Sequence, residues 1–244
     1  MTRIFIETTV REMSSLELTG EKARYLSTVL RLSPGNKLSV IDSSGSAYLA
    51  YIVSVSKKNA VLHIEERSAP APESPLDITL MQGLLKGEKM EFIVQKASEL
   101  GVRQLFPVIA ERSQIQETRK LQRWKKIAEE ASRQCGRAVV TRVLEPLALI
   151  DAIHSFDNSS SAGIIFWEHA DLPFSSSLEK CKRKKQVILL TGPEGGFSEK
   201  EVGRAAEKGF HVTCMGKRIL RAETAAIAAI SVTQYVLGDL SGRS

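Results

Sequence analysis

Val187-Ile188-Leu189-Leu190-Thr191-Gly192-Pro193-Glu194-Gly195-Gly196-Phe197-Ser198 is an apolar run of strand length that closes in a glycine-rich turn. The pattern recurs nearby. A strand over 211–215 runs into Gly216-Lys217-Arg218-Ile219-Leu220-Arg221-Ala222-Glu223-Thr224-Ala225. Glycine lets a backbone approach a ligand without a Cβ in the way, and a strand that opens through such a loop into a helix offers free N–H groups. Two adjacent loops of this kind predict one ligand held between them. The first lacks the Gly-Lys-Ser/Thr ending of a phosphate loop, and neither has the G-x-G-x-x-G spacing of a dinucleotide fold. The slot they describe has no phosphate cradle, and Ile219-Leu220 suits a flat adenine ring.

Working outward, the grammar is α/β. A strand over 78–84, a helix over 88–100 ended by Gly101, and a strand over 104–109 are followed by a helix at about 117–137. Strands at 163–167, 187–191 and 211–215 then alternate with a helix from Ser198 and a long final helix through about Leu237. A mainly parallel sheet with its crevice at the carboxyl ends of the strands is expected. Upstream, residues 3–7, 38–43 and 46–66 read as strands of a small β-rich module. Between its first strands Thr19 is expected to cap a short helix running to about Leu32. Ala69-Pro70-Ala71-Pro72-Glu73-Ser74-Pro75 can join neither helix nor central strand. The expected partition is therefore 1–68, a linker at 69–75, and 76–244.

Cys135, Cys181 and Cys214 are widely spaced and outside any C-x-x-C arrangement, and His63, His154, His169 and His211 form no ligand pair. Reduced thiols in a cytoplasmic, soluble protein without a metal are expected, with no leader or membrane span. A net charge of +6 favours polyanionic partners, although many soluble proteins are mildly basic. Along the 117–137 helix, Arg119, Arg123, Lys126, Arg133 and Arg137 fall within a stripe of roughly 80° opposite Leu121, Trp124, Ile127, Ala128 and Ala131. That stripe is either a solvated face or an RNA contact. The basic tract at 180–185 reads as a helix end or surface turn.

The two loops resemble those of the SPOUT class of S-adenosylmethionine-dependent RNA methyltransferases. Within it the chain is similar to the bacterial 16S ribosomal RNA uridine N3-methyltransferases, the RsmE family. The resemblance also covers Lys86-Gly87-Glu88-Lys89-Met90-Glu91, Gln95–Val102, Pro107, Glu111-Arg112-Ser113, Trp124–Ile127 and Gln134–Arg137. It implies a trefoil-knotted SPOUT methyltransferase domain preceded by a PUA-like β-barrel, working as a homodimer on 16S rRNA of the 30S small ribosomal subunit. It further implies that Leu190, Thr191, Gly192, Gly195, Gly196, Met215, Gly216, Ile219, Leu220 and Arg221 line the S-adenosyl-L-methionine slot, with Phe166, Trp167 and Glu168 as a third wall. Arg221 would stabilise charge on the uracil oxygens and Glu223 would accept the proton, the alternative being a structural Arg–Glu contact. Arg3, Arg31, Lys86, Arg112 and Arg137 are expected to face RNA. Tyr25 and Thr28 stand where the family commonly has His and Arg, and Thr141 replaces a frequent Pro. A SPOUT relative acting on another base or RNA, and a non-catalytic RNA-binding assembly factor, are the competing readings.

Overall fold

The computed structural model describes residues 2–10, 13–69 and 73–242. The chain divides into two units, one of residues 1–72 with 133–139, the other of 73–132 with 140–244. The expected contiguous partition differs in one respect: Arg133–Val139 groups with the first unit.

The first unit is a five-stranded sheet in the order β1 (Arg3–Phe5), β3 (Lys37–Ile41), β4 (Ala47–Val55), β5 (Asn59–Ser68), β2 (Ser15–Thr19). Only β1 and β3 pair in parallel. Alternating inward residues such as Leu38, Val40, Ala50, Ile52 and Leu62 fill its core. Sequence reading passed over β2, yet Ser-Leu-Glu-Leu-Thr alternates exposed and buried along its whole length. Beyond it, Gly20 at φ +62° turns the chain into α1 (Gly20–Arg24), and the Thr19 hydroxyl makes no capping bond, contrary to expectation. A π-helical turn, Tyr25–Val29, ends the helix before Leu32. The neighbouring Ser43-Ser44-Gly45 turn is organised by Asp42. It accepts bonds from the Val10, Ser44 and Ser46 N–H groups at 3.1, 2.9 and 3.1 Å and from the Ser44 hydroxyl.

The second unit is a parallel seven-stranded sheet. Its main path runs β12 (His211–Thr213), β10 (Ser161–Phe166), β11 (Gln186–Thr191), β6 (Asp77–Gly83), β7 (Gln104–Ile109), β8 (Arg142–Val143), and β9 (Leu147–Ala148) also pairs with β7. β11 sits between β10 and β6, covered on both faces, which is why it is apolar without alternation. The helices are α2 (Lys89–Glu99), α3 (Leu121–Cys135), α4 (Leu149–His154), α5 (Phe174–Cys181), α6 (Glu199–Glu207) and α7 (Ala222–Leu237). On α7, Ala226, Ala229 and Ile230 are buried in the core shared with α2's Met90, Ile93, Val94 and Ala97. Short elements β8, β9, α4 and α5 carried too little periodicity to be read from sequence. No helix among the described residues is long and apolar enough to cross a membrane.

The basic stripe does not survive as one face. α3 spans only Leu121–Cys135, so Arg119 and Arg137 lie off it, and Arg123 is held 2.7 Å from Glu91. The Arg133 guanidinium lies 4.2 Å from the centre of the Tyr25 ring. Tyr25, one of the departures from the family pattern, thereby uses an aromatic face that an imidazole would supply less well. Thr141, another departure and a buried one, donates its hydroxyl to the Val102 carbonyl at 2.6 Å.

Candidate functional site

Carboxyl ends of four parallel strands converge on one cavity of about 370 Å³. β10 contributes Phe166 and continues to Trp167 and Glu168; β11 ends in Thr191 and the 192–197 loop; β12 leads to the 214–221 loop; Lys89 comes from the helix that follows β6. Each loop is fixed by its own helix start. Ser198 caps α6 in a capping box with Glu201, and Arg221, at φ −64° and ψ 151°, is the residue before α7. Glu201 also accepts the Glu111 N–H at 2.7 Å, while the Ser198 hydroxyl donates to Glu111 at 2.8 Å.

Beneath the first loop, Gln82 is fully buried. It donates from Nε2 to the Gly83 and Gly192 carbonyls at 2.9 and 3.1 Å, and its Oε1 accepts from the Thr191 hydroxyl at 2.7 Å. A Cβ on Gly83 would lie 2.4 Å from the Pro193 nitrogen, so glycine is what lets the loop sit down on β6. At the cavity wall, Gly196 has φ +66° and a Cβ there would stand 3.3 Å from the Glu168 carboxylate.

Charge is concentrated at one end. Lys89 Nζ lies 3.0 Å from Glu194 and 3.9 Å from Glu223 Oε2, and Glu194 also accepts the Lys86 N–H at 3.2 Å. Burial alone would raise the Glu194 carboxyl. The hydrogen bonds from Lys89 and the Lys86 backbone outweigh it and hold the group below the ordinary carboxylate range. Glu223 Oε2 is buried and accepts no hydrogen bond.

Of the expected cofactor residues, Phe166, Trp167, Glu168, Thr191, Gly192, Gly195, Gly196, Met215, Gly216, Ile219, Leu220 and Arg221 line this cavity, and Glu223 joins them. Leu190 does not: it is fully buried in the core behind the loop, and only Thr191 reaches the wall. Sequence reasoning missed Lys89, Glu194 and Gln82 as parts of the site. Lys89 and Glu194 lie inside the 86–91 and 192–197 stretches that carry the family resemblance, and a lysine opening a helix just after a strand end is a signal that could have found one of them. Among residues expected to face RNA, Lys86 and Arg112 are exposed beside the first loop, with Arg112 Nη1 donating to the Gly195 carbonyl at 3.4 Å. Arg31 is exposed at φ +51°, and Arg3 is half-buried with its guanidinium against Gly136. Arg137 must be corrected: it is only 8 % exposed, so a phosphate backbone has no access to it in this structure.

A fold of parallel strands with this loop-built cavity matches known proteins over its whole length. The family model described as an RNA methyltransferase domain covers residues 72–234, and one described as an RNA methyltransferase PUA domain covers 18–65. These define the chain as an RNA methyltransferase with an α/β methyltransferase domain and a PUA-like domain. A ribosomal RNA small subunit methyltransferase E of Bacillus subtilis is 32% identical, with 99% of each chain aligned, and that of Buchnera aphidicola (strain APS) is 32% identical over 97% of this chain and 94% of its own length. The crystal structure of a ribosomal RNA small subunit methyltransferase E from Neisseria gonorrhoeae bound to S-adenosyl methionine superposes with a TM-score of 0.90 at 31% identity, covering 98% of this chain and 99% of its own. The chain belongs to the ribosomal RNA small subunit methyltransferase E family.

Proposed function

We propose that the protein transfers the methyl group of S-adenosyl-L-methionine to N3 of a uridine in 16S ribosomal RNA of the small subunit. The observation that carries this is the single cavity built where the 191–197 and 214–225 segments meet the 166–168 wall. Its volume falls in the range of small-molecule sites, about 300–1,000 Å³. Mixed polar and apolar walls, glycines where a Cβ would crowd Glu168, and the absence of a phosphate cradle suit a nucleoside with a methionine tail. When bound, S-adenosylmethionine supplies a methyl group already activated as a sulfonium.

The chain's own residues must then deal with the uracil. N3 is a poor nucleophile while it carries its proton, and losing that proton places negative charge on O2 and O4. Arg221, at the start of α7, directs its planar fork at those oxygens. Glu223, in the first turn of the same helix with an unpartnered oxygen, accepts the proton. Lys89 positions that carboxylate and, by dividing itself between Glu194 and Glu223, keeps positive charge at the place where oxyanion charge develops. Lys86 and Arg112 beside the loop, and Arg3 and Arg31 on the first unit, hold RNA phosphates.

The same reading includes the trefoil knot and a homodimer. The knot is supported by the way β12 pairs beyond β10 while the segment after it returns to share a cavity with the β11 loop. The dimer is supported by α7, where Ala228, Val232 and Tyr235 recur at helical spacing and Val232 and Tyr235 are 40 % and 62 % exposed. Work in the cytoplasm fits Cys135, Cys181 and Cys214, which form no disulfide among the described residues. The test is methyl transfer to 30S subunits from a strain lacking the modification, with mass mapping of the product nucleoside. Methylation at another base or no transfer would refute it. Arg221→Ala and Glu223→Gln should each lower kcat by about a hundredfold or more with cofactor affinity retained. Near-normal kcat in either would remove that residue from the chemistry.

A further inference from the structure

The basic tract Lys180-Cys181-Lys182-Arg183-Lys184-Lys185 is the end of α5 and the turn into β11. It stands at the amino ends of the parallel strands, away from the cofactor cavity at their carboxyl ends. The register places other cations beside it. Asp77, at the start of β6, donates its N–H to the Lys185 carbonyl at 2.8 Å; Arg103, just before β7, donates its own to the Ile78 carbonyl at 2.9 Å. Arg142, the first residue of β8, donates its N–H to the Arg103 carbonyl at 3.0 Å. On the other side of the tract, Lys184 Nζ donates to the Asn158 and Ser159 carbonyls at 2.9 and 2.7 Å, in the turn before β10. The edge running from β10 through β11, β6 and β7 to β8 is about 19 Å long at ordinary strand spacing.

Carboxylates along this edge are already engaged. Asp77 lies 3.5 Å from Arg103 Nε, and Glu179 lies 2.6 Å from Lys182. Asp157 accepts from the Ser159 N–H and hydroxyl and from the Ser160 hydroxyl. Arg142, Arg183 and Lys185, in contrast, are exposed and make no ion pair among the described residues. None of the exposed large apolar side chains, such as Ile219 or Tyr235, belongs to these segments. A row of free cations without an apolar anchor lacks what a protein partner's core or a membrane surface would need, and it matches a phosphate backbone.

We infer that this amino-end edge is a second RNA contact, at which Arg142, Arg183 and Lys185 neutralise phosphates of the ribosomal RNA away from the methylated nucleotide. The inference rests on the RNA-methyltransferase reading above. It adds a grip that takes no part in the chemistry, because β6 and β11, seven and six residues long, hold the edge about 20 Å from the cavity. That separation exceeds the Debye length of about 8 Å at physiological ionic strength, so charge on the edge is screened from the reacting atoms. Phosphate contacts fix the placement of an RNA and carry no sequence information, which leaves the choice of uridine to the cavity.

Charge reversal in the full-length protein reads the contacts one at a time. Arg142→Glu, Arg183→Glu and Lys185→Glu should each weaken binding to protein-free 16S ribosomal RNA about three- to tenfold and lower the slope of log affinity against log salt by about one. Combined, they should raise KM for small subunits lacking the modification about thirtyfold or more, with kcat and S-adenosylmethionine Kd changed by less than about twofold. Lys57→Glu, at an exposed position in the turn between β4 and β5, makes the same change in net charge and should cost less than about twofold. A wild-type salt slope in the triple variant overturns the inference. So does an equal loss from Lys57→Glu, which would make net charge alone the cause. A loss on small subunits with none on protein-free RNA also overturns it, assigning the edge to a ribosomal protein. A wild-type protein that methylates no RNA, while the reversals still flatten its salt slope, would sink the methyltransferase reading and leave this contact standing. Full methylation by the wild type with no change of slope in the triple variant would do the reverse.

Discussion

Replacing Gly83 with alanine probes the join between β6 and the cofactor loop more directly than any change to the loop itself. The new Cβ would lie 2.4 Å from the Pro193 nitrogen, 2.5 Å from its Cδ and 2.8 Å from the Gly192 carbonyl carbon, all backbone or ring atoms with no flexible side chain to yield. Relaxed carbon contacts need about 3.5–4.0 Å, so the 192–196 segment must retreat by roughly 1 Å. Overpacking of that kind costs about 1–3 kcal/mol. The Gln82 Nε2 bond to the Gly192 carbonyl, at 3.1 Å, would be strained or lost, adding about 1 kcal/mol. A total of about 2–4 kcal/mol predicts a melting temperature lower by about 5–15 °C for a chain of this size. The retreating segment is also the wall of the cavity, so S-adenosylmethionine Kd should rise at least tenfold, measured by calorimetry at a temperature where the variant is folded. Gly203→Ala is the matched control. It lies inside α6 with nothing within 4 Å of the added Cβ, and should stabilise by about 0.5–1 kcal/mol without touching affinity. A Gly83→Ala protein with wild-type melting and affinity would refute the claim that this close approach sets the cavity. A lower melting temperature with unchanged affinity would show that the approach matters for packing alone.

Three further outcomes are expected. Lys89→Met should reduce kcat by about tenfold to a hundredfold in single-turnover methylation. It should also weaken the acid sensitivity of stability: Glu194, depressed in the folded protein, contributes stability above its unfolded pKa that is lost as pH falls through the folded value, and the variant removes its principal partner. Asp42→Asn should destabilise the first unit by about 2–3 kcal/mol in denaturant melts, because an amide must turn a donor toward one of the N–H groups that the carboxylate now accepts. Burial would raise the Asp42 carboxyl, but its hydrogen bonds from Ser44, Val10 and Ser46 hold it below normal, so wild-type stability there should fall with pH in the acid range and the variant's should not. Finally, burial pushes the Cys181 thiol up to about 11, so a thiol reagent at pH 8 should label exposed Cys135 first and reach Cys181 only on unfolding.

Much of this was legible in the sequence for an identifiable reason. β11, buried on both faces, is written as an unbroken apolar run from Val187 to Leu190, and the loop after it carries glycines because backbone must approach backbone. The individual lining residues were expected from the family resemblance, and of those only Leu190 falls outside the cavity, its side chain turned to the core one residue before the loop begins. Long-range partnerships were not legible. Gln82 and Thr191 are 109 positions apart and Lys89 and Glu194 are 105, and no local pattern announces either contact. The basic stripe shows the opposite error: spacing put five cations on one side of a helix, while Glu91 had already claimed one and two lay beyond the helix ends.

The bond from Ser198 to Glu111, and from the Glu111 N–H back to Glu201, has a consequence for motion. A capping box ordinarily closes within four residues, so a helix end can fray and re-form by itself. Here the box on α6, closed between Ser198 and Glu201, is also bonded to Glu111 in the turn after β7, 90 positions before Glu201. The loop that precedes α6 is therefore tethered at its far end to another strand, and at its near end to Gln82. Its backbone amides should exchange with deuterium in step with those of the turn after β7, as one cooperative opening, rather than at the faster rate of an independent surface loop.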